Sequence, residues 1–135
     1  MARIVLTDAY VTINAVNLSD HITSITLTTS DDIVETTSFG STAKTRVAGL
    51  VDNSVAIEFQ QDYAASSVEA SVYPLLGTTT SVVVKPNGST TSSTNPSYTF
   101  TALVSEWTAL NGAVGELATV SVTWPISGAI TKAVV

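Results

Sequence analysis

The chain contains no cysteine. Disulfides and thiolate sites are therefore excluded. Histidine occurs once, at position 21. Charge is also scarce: Asp, Glu, Lys and Arg make up 12% of the residues, with 11 acids against 5 bases and a net charge of −6. A set this small and acidic lacks the basic footprint of a specific nucleic-acid binder. Long hydrophobic runs are missing too. Ile4 to Leu6 is apolar, but Asp8 closes it off, which is too short for a signal-peptide core, and no stretch approaches a membrane span. Neither a cleaved secretory signal nor a membrane partner is expected.

What is present is strand-forming. The 135 residues are 44% hydrophobic, dominated by Val and Ile, and rich in Ser and Thr. β-Branched and hydroxyl side chains suit a pleated, half-buried surface. Residues 1–135 read as a single domain with a core of its own. A surface so poor in charge is unusual for a free monomer. Either hydroxyls cover it or an assembly buries it.

The chain is organised around residues 36–63. In the second half, Val55, Ile57 and Phe59 alternate with Ala56, Glu58 and Gln60, the period of a strand with one dry face and one wet face. The first half, 36–52, has no comparable pattern. It holds Gly40, Gly49, Lys44 and Arg46, with Phe39, Val47 and Leu50 as apolar groups. A loop of this length inside a compact domain is uncommon and usually functional or disordered, and its content suits docking on a partner; the rival reading is a β-hairpin folded on its own subunit.

In order along the chain, strands are expected over 9–13, 22–30, 79–85, 98–109 and 117–125. Turns fall at 14–17 and 17–21, and Asp31-Asp32 breaks the second strand, which 33–37 can resume on the way into the long loop. Ser66 with Glu69 matches a capping box. Val68, Val72, Leu75 and Leu76 then follow at helical spacing, and Pro74 tightens or ends the helix near Tyr73. One helix of about ten residues is expected, lying across a sheet. Val82, Val83 and Val84 read as apolar on both faces. Residues 86–97 read as an exposed, mobile, low-complexity loop. Trp107 is out of phase with Tyr98, Phe100, Ala102 and Val104, which implies a bulge or two buried faces. Residues 126–135 form an arm or a last strand. The expected core is Val55, Ile57, Phe59, Val72, Val83, Phe100, Val120, Val122 and Trp124.

Little chemistry is available. His21 beside Asp20 reads as a surface or capping residue, with no nucleophile motif near it. Asp31 and Asp32 lack the spaced ligand loop that calcium favours. Glu58 and Glu106 would suit glycoside chemistry only on adjacent strands, and otherwise are wet-face residues. Asn87-Gly88-Ser89 matches a glycosylation acceptor but reads as turn chemistry. No catalytic, metal or cofactor residue is assigned, and the expectation is a non-enzymatic β domain.

Three segments, 11–30, 38–79 and 94–130, resemble the tail tube (major tail) proteins of long-tailed, non-contractile phages. The most specific pieces are RVAGLVD at 46–52, EFQQDYAAS at 58–66 and VTWP at 122–125. The resemblance implies an all-β fold, an antiparallel β-sandwich or partly closed barrel of about seven or eight strands with one flanking helix. It also implies a structural virion protein, made in the host cytoplasm, whose homohexameric rings stack into the hollow tube that conducts the genome during ejection. Other tail proteins would meet the tube ends, and DNA would pass without specific binding. The inter-ring contact would fall on 36–52, through Phe39, Lys44, Arg46 and Leu50. The alternatives are a tail terminator, connector or decoration protein, or a carbohydrate-binding sandwich.

A channel that must release DNA needs few bases on its wall, because each phosphate contact adds affinity. Three wet faces could supply such a lining: Ser24, Thr26 and Thr28; Glu58 and Gln60; and Thr119, Ser121 and Thr123. None of the five bases, Arg3, Lys44, Arg46, Lys85 and Lys132, lies on them.

Overall fold

The structure is a computed structural model that describes residues 3–135. Eight strands form two antiparallel sheets that are not joined into a closed barrel. The larger sheet contains β1 (Tyr10–Ile13), β2 (Val16–Asn17), β5 (Thr79–Lys85), β6 (Ser97–Leu103) and β8 (Thr131–Ala133), in the order β2-β1-β5-β6-β8. The smaller contains β3 (Ile22–Glu35), β4 (Arg46–Gln60) and β7 (Thr119–Pro125), with β4 central. Asn14 and Ala15 both have positive φ and turn β1 into β2, the geometry of a tight hairpin whose twist matches its strands.

The core lies between the sheets. Alternation places Val55, Ile57 and Phe59 of β4 beside Val120, Val122 and Trp124 of β7, all buried. Val82, Val84 and Phe100 face them from the other sheet. Val72 is buried as expected. Val83 is not: it is only half-buried, because consecutive strand residues point to opposite faces and Val82 and Val84 hold the inner one.

The helix α1 (Val68–Val72) is shorter than expected, and the turn of 3₁₀ helix at Tyr73–Leu75 carries Pro74. Gly77, at φ +83°, leads away from it into β5. The capping box does not form. Ser66 has φ +61°, incompatible with the extended backbone of an N-cap, and the side chain of the actual cap, Ser67, makes no capping bond. Asp62 takes over: its carboxylate accepts from the Ala64 amide (2.9 Å) and the Ser67 hydroxyl (2.8 Å), and its carbonyl from the Glu69 amide (3.1 Å). Glu69 turns its carboxylate to Gln61 (3.0 Å) and the Trp107 indole (2.6 Å).

The strand expected over 98–109 ends at Leu103. Trp107 is out of phase because it belongs to an irregular segment, not to a bulged strand. Its ring meets Phe59 edge-on at 5.3 Å. Residues 86–97 are not a featureless loop. Asn95, 3% exposed, donates to the carbonyls of Asn87, Ser89 and Thr90 and accepts from the Asn87 amide. Residues 131–133 pair with β6, so the C-terminal segment supplies a last strand, not a free arm.

Candidate assembly surfaces

The dominant feature is the β3–β4 hairpin. Its base, from Ile22 to Ser30 on one strand and from Asp52 to Gln60 on the other, belongs to the sandwich. Its distal half does not. Asp31 to Glu35 and Arg46 to Val51 are paired strand, yet every one of these residues is exposed. Asp31-Asp32 therefore does not break the strand, and 46–52 is not loop; only residues 36–45 form the tip. Thr36 and Thr45 close that tip through backbone (2.8 Å) and hydroxyl (2.8 Å) hydrogen bonds.

A β-bulge separates base from blade. The register runs Asp31↔Val51 and then Ile33↔Ala48, so β4 carries one residue more than β3. Gly49 sits in the bulge, where a Cβ would lie 3.1 Å from a Val34 methyl. Beyond it, Ile33 pairs with Ala48 and Val34 with Val47. Adjacent pairs project on opposite sides, so the blade is apolar on both faces. Phe39 (108% exposed) and Leu50 (82%) add to it, with Lys44 and Arg46 near the tip.

The three wet faces come together in one sheet. Glu58 on β4 is flanked by Ser24 on β3 and Ser121 on β7, Ala56 by Thr26 and Thr123, and Gln60 by Thr119, while Thr28 faces Ser54. Thr23 donates to one Glu58 carboxylate oxygen (3.0 Å) and Ser121 to the other (3.4 Å). No base interrupts this face. Glu106 is not on a neighbouring strand. Its carboxylate accepts from the Thr123 amide (2.9 Å) and its carbonyl from the Trp124 indole (3.0 Å), covering part of the outer edge of β7. The outer edge of β3 is bare of strand partners.

His21 bridges two carboxylates, with Nδ1 2.9 Å from Asp20 and Nε2 2.9 Å from Asp62. Hydrogen bonding to Asp20, and then the charges of Asp20 and Asp62, raise its pKa above the usual value. Asp62 is lowered, first by the Ala64 amide, then by the Ser67 hydroxyl and by His21. Among the described residues no Lys or Arg pairs with a carboxylate, and no group of three or more His, Asp or Glu could hold a metal ion. Among the described residues no helix is long and apolar enough to cross a membrane. Trp124 is fully buried and Trp107 half-buried.

The arrangement defines a β-sandwich with one short helix and an exposed hairpin blade. No protein-family model matches the chain, and no curated protein matches it. Among solved structures it is similar to a chain of the anti-feeding prophage (AFP) baseplate, determined by cryo-EM with 6-fold symmetrisation. The identity is 10% and the TM-score 0.56, over 98% of this chain and 97% of that one. At that identity the likeness establishes a shared fold over the full length.

Proposed function

We propose that this chain is a non-enzymatic structural subunit of a phage-type tail, and that its hexameric rings stack into a hollow tube through which DNA passes. One observation carries the reading: the hairpin blade, ordered by its own hydrogen bonds yet apolar on both faces and exposed throughout. A free monomer gains nothing from such an element, since exposed apolar strand is an aggregation hazard. In a polymer it becomes interface, with Phe39 and Leu50 on apolar surface of a neighbour and Lys44 and Arg46 against its acids. The base-free polar face of the smaller sheet supports its use as channel wall, and the full-length fold match to a chain of a sixfold prophage baseplate supports a place in a virion.

That same match favours a second reading, a component of the tube end or baseplate that forms a single ring. Negative-stain imaging of the purified protein at high concentration separates them. Long tubes are expected. Discrete rings that do not stack favour the second reading, and monomers under all conditions overturn both.

A further inference from the structure

The sandwich is open on the β3 side, where a groove of about 630 Å³ runs between the sheets. Ile25 and Leu27 line it from β3, Val84 and Tyr98 from β5 and β6. Ile25 and Leu27 are only half-buried, so the inner face of β3 lacks a full cover. Asn53 also lines the groove and is 3% exposed. Its Nδ2 donates to the Gly128 carbonyl (3.1 Å), which settles the orientation of the amide, while Oδ1 has no donor. Buried polar atoms are normally partnered. Lys85 and Lys132 also line it, and neither pairs with a carboxylate among the described residues; Lys85 Nζ donates to the Ser89 carbonyl (3.1 Å) and lies over the Tyr10 ring (4.5 Å), while Lys132 makes no such bond.

An occupant suited to these walls is extended, apolar on the side facing Ile25 and Val84, acidic toward the lysines, and has a backbone N–H to spare. Among the described strands, one exposed segment combines these apolar and acidic groups, Asp31-Asp32-Ile33-Val34-Glu35. It lies on an edge strand, so its outward backbone groups have no strand partner. Ile33 is 71% and Val34 49% exposed, and three of its five residues are acidic. It cannot reach the groove of its own subunit, because Ile25 and Leu27, which form one wall, belong to the same continuous strand. We propose that the groove of one subunit receives residues 31–35 of a second copy. This rests on the self-assembly proposed above and adds the receiving site, the two lysines and the buried amide.

The absence of cysteine means that only the introduced thiols can cross-link, and each variant oxidised alone controls for its own homodimer. Ile33→Cys and Ile130→Cys subunits, the second position being in the groove lining, are mixed, polymerised and mildly oxidised. A disulfide-linked dimer is expected on a non-reducing gel. With Phe39→Cys in place of Ile33→Cys, at the hairpin tip, no dimer is expected. Polymers without the dimer overturn the groove assignment and leave the assembly role standing. A dimer through Phe39→Cys alone makes the tip the occupant, which also overturns it. If the parent protein never polymerises, the assembly reading itself fails and the groove assignment falls with it. As a second readout, Lys132→Glu is expected to reduce polymer yield about tenfold or more, because like charges across an interface are strongly unfavourable. Adding Asp32→Lys in the same chain is expected to restore it. Lys132→Glu polymerising as well as the parent counts against the proposal.

Discussion

Phe59 is fully buried between two tryptophans, 5.3 Å from the ring of Trp107 and 6.3 Å from that of Trp124. Truncation there removes a large side chain from a site walled by rigid rings, which cannot collapse to fill the space. Phe59→Ala is expected to cost about 3–5 kcal/mol in denaturant unfolding; a loss below about 1 kcal/mol would mean that the cavity closes. The place of Phe59 was legible because Ala56, Glu58 and Gln60 punctuate the apolar positions. Val83 was misread because the run of three valines masked the parity that Ser81 and Lys85, on its own face, report. Ser66 was misread for a different reason. A capping box is a spacing rule, and the spacing is silent on the left-handed backbone that Ser66 adopts. The partners of Trp107 and Glu69, 38 residues apart, left no local trace in the sequence.

Among elements, the hairpin blade was the least legible. Alternation reveals a strand when one face is dry, and both faces of the blade are exposed. The bulge at Gly49 also shifts the parity of β4 by one residue, so that Val47 and Val55, both odd-numbered, no longer share a face. Replacing residues 31–51 by an Asn-Gly turn joins Ser30 to Asp52, which are already paired. Since every residue removed from the two strands is exposed, the shortened subunit is expected to melt near the parent temperature and to form no polymer. Normal polymers from it would exclude the blade from assembly. A second link between elements depends on pH. His21 ties the start of β3 to Asp62, which organises the approach to α1. The folded pKa of His21 is raised, so its contribution is fully present below the reference value of 6.5 and is lost as pH rises through the folded pKa. That of Asp62 is lowered, so its contribution is present above 3.8 and is lost as pH falls through the folded value. The link is therefore complete between those two references. The stability difference between the parent and His21→Gln should be largest at about pH 5.5 and shrink by about pH 8.5. A difference that is constant across this range would show that the proton on His21 plays no part.

At the scale of the molecule, charge is distributed by face. One face of the smaller sheet offers Glu58 and Gln60 between rows of Ser and Thr, while Lys44, Arg46, Lys85 and Lys132 lie off that face. Repeated around an axis, such a wall would carry a negative potential and repel phosphate. In a reconstruction of the polymer, Glu58 and at least two of Thr26, Thr28, Thr119 and Thr123 are expected toward the channel, with α1 away from it. A channel lined by α1 or Lys85 would reverse the orientation of the sheet. The sequence disclosed these wet faces singly. Their union needed the pairing of β4 with both β3 and β7, which are separated by long stretches of chain, and no local pattern encodes that order. The all-β class and the single helix were readable from composition and period alone.

The loop held by Asn95 has a bearing on how such a molecule ages. Side-chain amides in proteins deteriorate when the next residue's backbone nitrogen attacks them, most readily where glycine follows. Asn87 and Asn111 both precede glycine. Asn95, whose amide closes residues 87–95 on themselves, precedes Pro96, which has no N–H to open that route. The clasp is built on the one amide of the loop that time attacks least.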